Sequence, residues 1–225
     1  MSSRTSLHSK LEWSRLLPRA IASYLASHQI RKLQLGTGAN VLDGWFNTDA
    51  APAGPNVFFV DTTRPFPFDD ATFHYVMSEH HIEHLTYAEG LSALRECYRV
   101  LEPGGKLRIA TPDLKVLLDL YSSPAGKLQD RYIRFITDSF FPQVHKYDPV
   151  LVINNAFYNW GHRFLYDRVT LQDSMEEAGF VDITTATAGE SDDEHLRGVE
   201  QHGEFIADQE MNRFETMVLE GRRAL

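Results

Sequence analysis

The chain has 225 residues, a formal net charge of −9, 43% apolar and 24% charged residues, the composition of a globular protein with enough length for one sizeable core. The acidic balance speaks against a general nucleic-acid binder, which needs a basic face, and a lone cysteine, Cys97, excludes an internal disulfide or a cysteine-built zinc site. No apolar run approaches the roughly 18 residues of a membrane span, so the expectation is a cytoplasmic protein without a membrane partner.

Residues 6–27 place Leu11, Leu16, Leu17, Ile21, Tyr24 and Leu25 near helical spacing, with Pro18 as an internal kink or break. KLQLGTGANVLDGWFNTD (32–49) follows. It reads as a short strand to Leu35, a Gly36-Thr37-Gly38 turn, and a second strand closing on Asp49. Glycine tolerates positive φ and has no Cβ, so a ligand can approach the backbone there, and an acid after the next strand can accept both hydroxyls of a ribose. An ordinary strand–turn–strand has the same pattern. Asn40 and Val41 stand where the dinucleotide fingerprint needs its third glycine, and Asp49 follows too soon for a full crossover helix. A nucleoside ligand without phosphates fits this spacing better than NAD.

A third strand is expected at residues 57–60, ending at Asp61, and a fourth at 73–77, ending at Ser78. Thr86 and Glu89 form a capping box that opens a helix with Leu91, Leu94, Tyr98 and Leu101 on its inner face. Residues 102–105 make a turn into a fifth strand at 106–110. Residues 111–161 are helical and aromatic-rich, too long for a simple connection and therefore functional; their aromatics, Tyr132, Phe135, Phe140, Phe141, Phe157 and Tyr158, are expected to form the insert's own core. Thr170 caps a short helix ending at Gly179, and residues 180–187 form a sixth strand. The acidic, weakly patterned residues 189–208 predict a mobile loop, and residues 214–220 a last strand, paired with the sixth as an antiparallel hairpin on the sheet edge. Strands alternating with helices mean an α/β fold with a doubly wound, mostly parallel sheet.

The ordered set LGTGAN, GWFNTD, VDTTRPFPFDDATF, SEHHIEHL and LEPGGKLRIATPDL, with NWGHRFLYD and EEAGF further on, resembles the class I S-adenosylmethionine-dependent methyltransferases of the small stand-alone type. The resemblance implies a Rossmann-like sheet of seven strands with an antiparallel last strand. It also implies one domain over residues 1–225, with an N-terminal helical cap (1–30) and a helical insert (111–161) on the acceptor side. It further implies S-adenosylmethionine as cofactor. Gly36, Thr37 and Gly38 would pass under its methionine part, Asp49 would hold the ribose, and Asp61 with Thr62 would meet the adenine. Ser78 and Glu79 would stand beside the sulfonium. The implied reaction is methyl transfer to a small-molecule acceptor, such as the hydroxyl of a sugar or a secondary metabolite. A non-catalytic cofactor-binding module with a protein partner is the alternative.

His80, His81, Glu83 and His84 form the densest titratable cluster, and it spells H-x-x-E-H, the inverted zinc-hydrolase pattern. That pattern needs both histidines on one helix face, which a segment between a strand and a capping box cannot supply, so no metal is expected. A sulfonium methyl is already activated, and the protein then has to supply alignment and a proton acceptor. His80 or His81 is expected in that role, with His84 tying the loop in place. Residues 160–166, with His162, Arg163 and three aromatics, read either as a second wall of an acceptor pocket or as a buttress of the sheet. Cys97 is expected to be a buried apolar residue rather than a nucleophile.

Overall fold

A computed structural model of the chain describes residues 7–122 and 126–225. Among them seven strands form one sheet: β1 (Lys32–Leu35), β2 (Phe46–Asp49), β3 (Val57–Phe59), β4 (Phe73–Glu79), β5 (Leu101–Pro112), β6 (Phe180–Ala186) and β7 (Thr216–Arg223). Their order is β3-β2-β1-β4-β5-β7-β6, with β7 antiparallel to both its neighbours and β1 to β5 parallel. This is the seven-stranded, mostly parallel, Rossmann-like sheet expected. Parallel strands are covered on both faces, which is why β1 and the second half of β4 are almost wholly buried runs. The strand order runs outward from β1 on one side and from β4 on the other. That reversal opens a crevice beyond their carboxyl ends, where ligands bind in such sheets.

Helix α1 (Leu7–Ser27) lies against the sheet through Leu17, Ile21 and Tyr24, and Pro18 sits inside it without dividing it. The Tyr24 hydroxyl accepts from Lys32 N at 2.8 Å and faces the Gly44 carbonyl at 3.1 Å, fixing the helix to the start of β1. Ser6, where the sequence begins this helix, and the Leu11 side chain lie outside the described residues. Helix α2 (Tyr87–Val100) opens with the expected capping box. Its buried face is Gly90, Ala93, Leu94, Cys97 and Val100, with Leu91 and Tyr98 only half-buried. The small residues let the helix approach closely: a Cβ on Gly90 would stand 2.5 Å from the Tyr166 hydroxyl. Cys97 is buried, and burial pushes its thiol well above the ordinary range. The expected turn at 102–105 is an excursion within β5, where the pairing with β4 shifts register between Phe73 and Tyr75.

The insert after β5 consists of α3 (Leu114–Ser122), α4 (Lys127–Phe140) and α5 (Pro149–Tyr158) around a small core of Leu117, Leu120, Tyr132, Ile133, Ile136 and Val152. Of the aromatics expected in that core, Tyr132 is buried but Tyr158 is 86% exposed. Helix α6 (Arg168–Glu177) is capped by Asp167, whose carboxylate accepts from Thr170 N at 2.8 Å; Thr170 supplies the donor and is not the cap.

Residues 189–208 are not the loose loop expected. Leu196 and Val199 are buried with Leu42, Trp45 and Met77, and Glu200 forms a buried ion pair with Arg108 of β5. Two short helices follow, α7 (His202–Phe205) and α8 (Gln209–Glu215), so the last strand starts at Thr216 rather than Phe214. The final two strands pair as expected, but β7 slots between β5 and β6, leaving β6 at the edge. Among the described residues, no helix is long and apolar enough to cross a membrane.

Candidate functional site

Two cavities lie beyond the carboxyl ends of β1 and β4. The first, about 190 Å³, is walled by residues 36–40 of the turn after β1 and by Glu79, His80 and His202. The turn has no helix, in keeping with the short spacing in the sequence. It is held instead by side chains: Gln34 Nε2 donates to Asn40 O at 2.8 Å, and Leu42 N donates to Asn47 Oδ1 at 3.0 Å. Gln34 and Asn47 are buried polar residues in β1 and β2, a signal the sequence carried but that strand patterning passes over. Gly36 and Gly38 have φ of +66° and +54°, the left-handed region that favours glycine. Asp49 Oδ2 accepts from Gly38 N at 2.8 Å, so the acid at the end of β2 is joined to the turn. Asp61 is engaged locally, accepting from the Thr63 hydroxyl at 2.6 Å, and does not line this cavity.

The second cavity, about 200 Å³, lies under the insert. Pro112, Phe135, Ile136, Phe140, Trp160 and Ile206 supply its apolar wall; His80, Glu83, His84, His162, His202 and Glu215 supply its polar side. His80 and His202 line both cavities and form the partition between them, with their rings 4.0 Å apart.

The expected site residues fall in three places. Glu79 lines the first cavity, and its carboxylate accepts from Gln201 N and His202 N at 3.0 and 2.9 Å, so it also anchors the partition. Ser78 faces the other side of β4: its hydroxyl lies 3.3 Å from His81 Nδ1, while His81 Nε2 lies 3.0 Å from Thr62 Oγ1. His81 is thus wedged beneath Gly36 with both ring nitrogens engaged, and it lines neither the turn cavity nor the cavity under the insert. Burial pushes its pKa down and keeps the ring neutral. This placement sets Ser78 and His81, expected beside the sulfonium and as a base, outside the lining of both cavities.

His80, the other histidine expected as a base, lines both cavities. Its φ is +46°, and its ring faces Glu83 Oε1 through Nδ1 at 3.3 Å and Thr216 Oγ1 through Nε2 at 3.1 Å. Thr216 gives its hydroxyl proton to Asn212 Oδ1 at 3.0 Å, so His80 Nε2 must donate to it. The other nitrogen, Nδ1, meets Glu83 Oε1 as an electrostatic contact outside hydrogen-bond geometry, and that contact favours a positively charged ring. Burial opposes that charge, but the Glu83 contact, with Glu215 and Glu79 nearby, outweighs it and raises the His80 pKa. Glu83 is held below the ordinary carboxylate range, since the His80 contact outweighs its own burial. His162 behaves differently. Nδ1 donates to Ala156 O at 2.7 Å and burial lowers its pKa, which leaves the lone pair on Nε2, and a ring nitrogen lies within 4.8 Å of ligand atoms of Glu83 and His84. Arg163 leaves the cavity and pairs with Glu89 at 2.6 Å. Sequence reasoning misses His202 because it lies in the weakly patterned stretch, and Glu215 because it reads as the start of the last strand; the two reach the site through α7 and α8.

Residues 39–109 match the family model for a methyltransferase domain. Over 131 residues the chain is 33% identical to the ubiquinone/menaquinone biosynthesis C-methyltransferase UbiE of Laribacter hongkongensis, an alignment covering 55% of this chain and 46% of that protein. The chain therefore spans about half the length of the curated relative it matches. Its fold is similar to that of an S-adenosylmethionine-dependent methyltransferase from Mesorhizobium loti (TM-score 0.52, 14% identity, 92% and 97% of the two chains). It is also similar to an S-adenosylmethionine-dependent methyltransferase from Thermotoga maritima described as a possible histamine N-methyltransferase (TM-score 0.50, 17% identity, 94% and 95%).

Proposed function

We propose that the chain is a class I S-adenosylmethionine-dependent methyltransferase and passes the methyl group of S-adenosylmethionine to a hydroxyl on a small, ring-bearing molecule bound under the insert. One observation carries the reading: the cavity at the Gly36–Gly38 turn and the cavity under α4 share the His80–His202 partition. A sulfonium methyl at that partition would face whatever occupies the second cavity. Gly36, Thr37 and Gly38 would cradle the methionine part, Asp49 would take the ribose hydroxyls, and Asp61 with Thr62 would meet the adenine. Glu79 would set a negative charge near the sulfonium.

Size and lining support the acceptor class. A dry cavity of about 150 Å³ holds a benzene ring, so about 200 Å³ fits one substituted ring and not a nucleotide or a peptide. Phe135, Phe140 and Trp160 offer flat faces to such a ring, a sugar or a phenol, while the polar side meets its hydroxyl. Of the three histidines expected to act on the acceptor, His162 has the free lone pair; it would engage the acceptor's nucleophilic oxygen. His80 would hold the partition in place as a fixed cation.

Two measurements test this. Titration with S-adenosylhomocysteine should show binding that weakens by about 10–100-fold in Asp49→Ala, the loss of one or two hydrogen bonds to a charged group. Methyl transfer from labelled cofactor to a panel of phenols and sugars should fall by about 10²–10⁴-fold in His162→Ala, with S-adenosylhomocysteine affinity kept. Full activity in His162→Ala would remove that residue from the acceptor side. Cofactor binding without any transfer, together with a protein partner that co-purifies, would favour a non-catalytic module.

A further inference from the structure

We infer that Glu83, His84 and His162 form a binding site for a divalent first-row transition-metal ion in the wall of the cavity under the insert. Each residue offers a ligand atom, and the three atoms lie within 4.8 Å of one another. Two imidazoles and one carboxylate are a donor set that zinc, cobalt(II) and iron(II) share. An independent observation points the same way. Glu83 is fully buried, yet its Oε1 has no hydrogen-bond partner; the His80 Nδ1 contact at 3.3 Å lies off the hydrogen-bond axis. A buried polar atom left so is destabilising, and more so when charged. A cation at that oxygen would relieve the cost.

The surroundings hold the ligands in the orientation an ion needs. Glu83 Oε2 accepts from the Thr111 hydroxyl at 3.0 Å, which leaves Oε1 for the ion. His162 Nδ1–H donates to the Ala156 carbonyl, which fixes the tautomer with the Nε2 lone pair outward. Such outer partners are what orient histidine and carboxylate ligands in metal sites. The H-x-x-E-H pattern pointed to His80 and His84 as a pair, but the structure separates them. A 3₁₀ turn at Ile82–His84 puts Glu83 and His84 with His162, while His80 groups with His202 and Glu215. That second group is the poorer ligand set, because His80 Nε2 donates to the Thr216 hydroxyl and Glu215 accepts from the Tyr132 hydroxyl. An ion with three protein ligands keeps open positions, and here they would face the cavity; a bound ion would occupy the His162 Nε2 lone pair and would itself take over the contact with the acceptor's oxygen.

The test reads the ion itself and needs no turnover, so its outcome is separate from that of the acceptor reading. The full chain, stripped with a chelator and dialysed, is titrated with Zn²⁺ by calorimetry and with Co²⁺ by visible absorption. About one ion per chain should bind, with cobalt bands of a four- or five-coordinate site. Glu83→Gln and His162→Ala should each weaken binding by at least about 10–100-fold, and His202→Ala should retain it. Glu83 is wholly buried, so His162→Ala is the decisive variant, its fold checked by thermal unfolding and S-adenosylhomocysteine binding. Failure of the wild-type chain to bind either ion would overturn the inference. So would binding lost in His202→Ala but kept in His162→Ala, which would place the ion in the other group.

Discussion

Gly36→Ala is expected to destabilise the protein by about 3–5 kcal/mol and to abolish cofactor binding, whereas Gly38→Ala two residues on should cost only about 1 kcal/mol. Both glycines have positive φ, so backbone strain is common to the two substitutions. They differ in what a methyl group would meet. At Gly38 the space is open within 4 Å; at Gly36 the new Cβ would stand 2.5–2.6 Å from Cδ2, Cγ and Cβ of His81. That ring has no room to retreat, because Ser78 and Thr62 hold its two nitrogens. Either the hydrogen bonds break inside the core or the turn lifts away from β1 and β2. Urea unfolding of the two variants side by side measures the difference. Equal losses would show that His81 yields easily, and that strain alone makes Gly36 a glycine.

Arg108→Met should cost a similar amount, about 3–5 kcal/mol, through charge rather than shape. The Arg108 side chain is wholly buried in β5, between Glu200 (1% exposed) and Glu220 (14% exposed) on either hand. Removing the guanidinium leaves the Glu200 carboxylate buried without its counter-charge. The double substitution Arg108→Met with Glu200→Gln should therefore recover much of the loss, since the unpaired charge that then remains, Glu220, is the more exposed of the two. Hydrogen exchange adds a local readout: residues 189–200, held to the sheet by this pair and by Leu196 and Val199, should lose protection in the single variant. Unchanged protection there, or a double variant no better than the single, would show that the apolar contacts hold the segment by themselves.

These two sites differ in how much of them could be read from sequence. The Gly36 turn and the capping box of α2 rest on neighbours a few residues apart, and both stand where the pattern put them. The inner face of α2 was misplaced because Gly90, Ala93 and Cys97 bury by being small, and hydrophobic spacing weights the large residues instead. Arg108 reads as a polar interruption of an apolar strand; its partners lie 92 and 112 residues away along the chain. The segment around Leu196 looked unstructured because its acidic residues outnumber the two apolar ones that anchor it. The histidine cluster was visible as a cluster, but His80, His81 and His84 go to three different surroundings. The handedness of one residue, His80 at φ +46°, separates the first two, and no spacing rule encodes that.

The position of β7 also has a bearing on how the chain folds as it is made. β5 pairs along more than half its length with a strand that follows the insert, α6, β6 and both short helices. Until residues 216–223 leave the ribosome, β5 presents an open row of backbone donors and acceptors, and β6 has nothing to pair with. Such a contact closes a long loop and forms late. The half of the sheet from β3 to β5 contains the Gly36 turn, Asp49 and Glu79, so it can collect its core first. The cavity under the insert waits, because His202 and Glu215 come into place only with the segment that delivers β7. A nascent or truncated chain lacking that strand would expose β5 as a sticky edge, open to a second copy of itself.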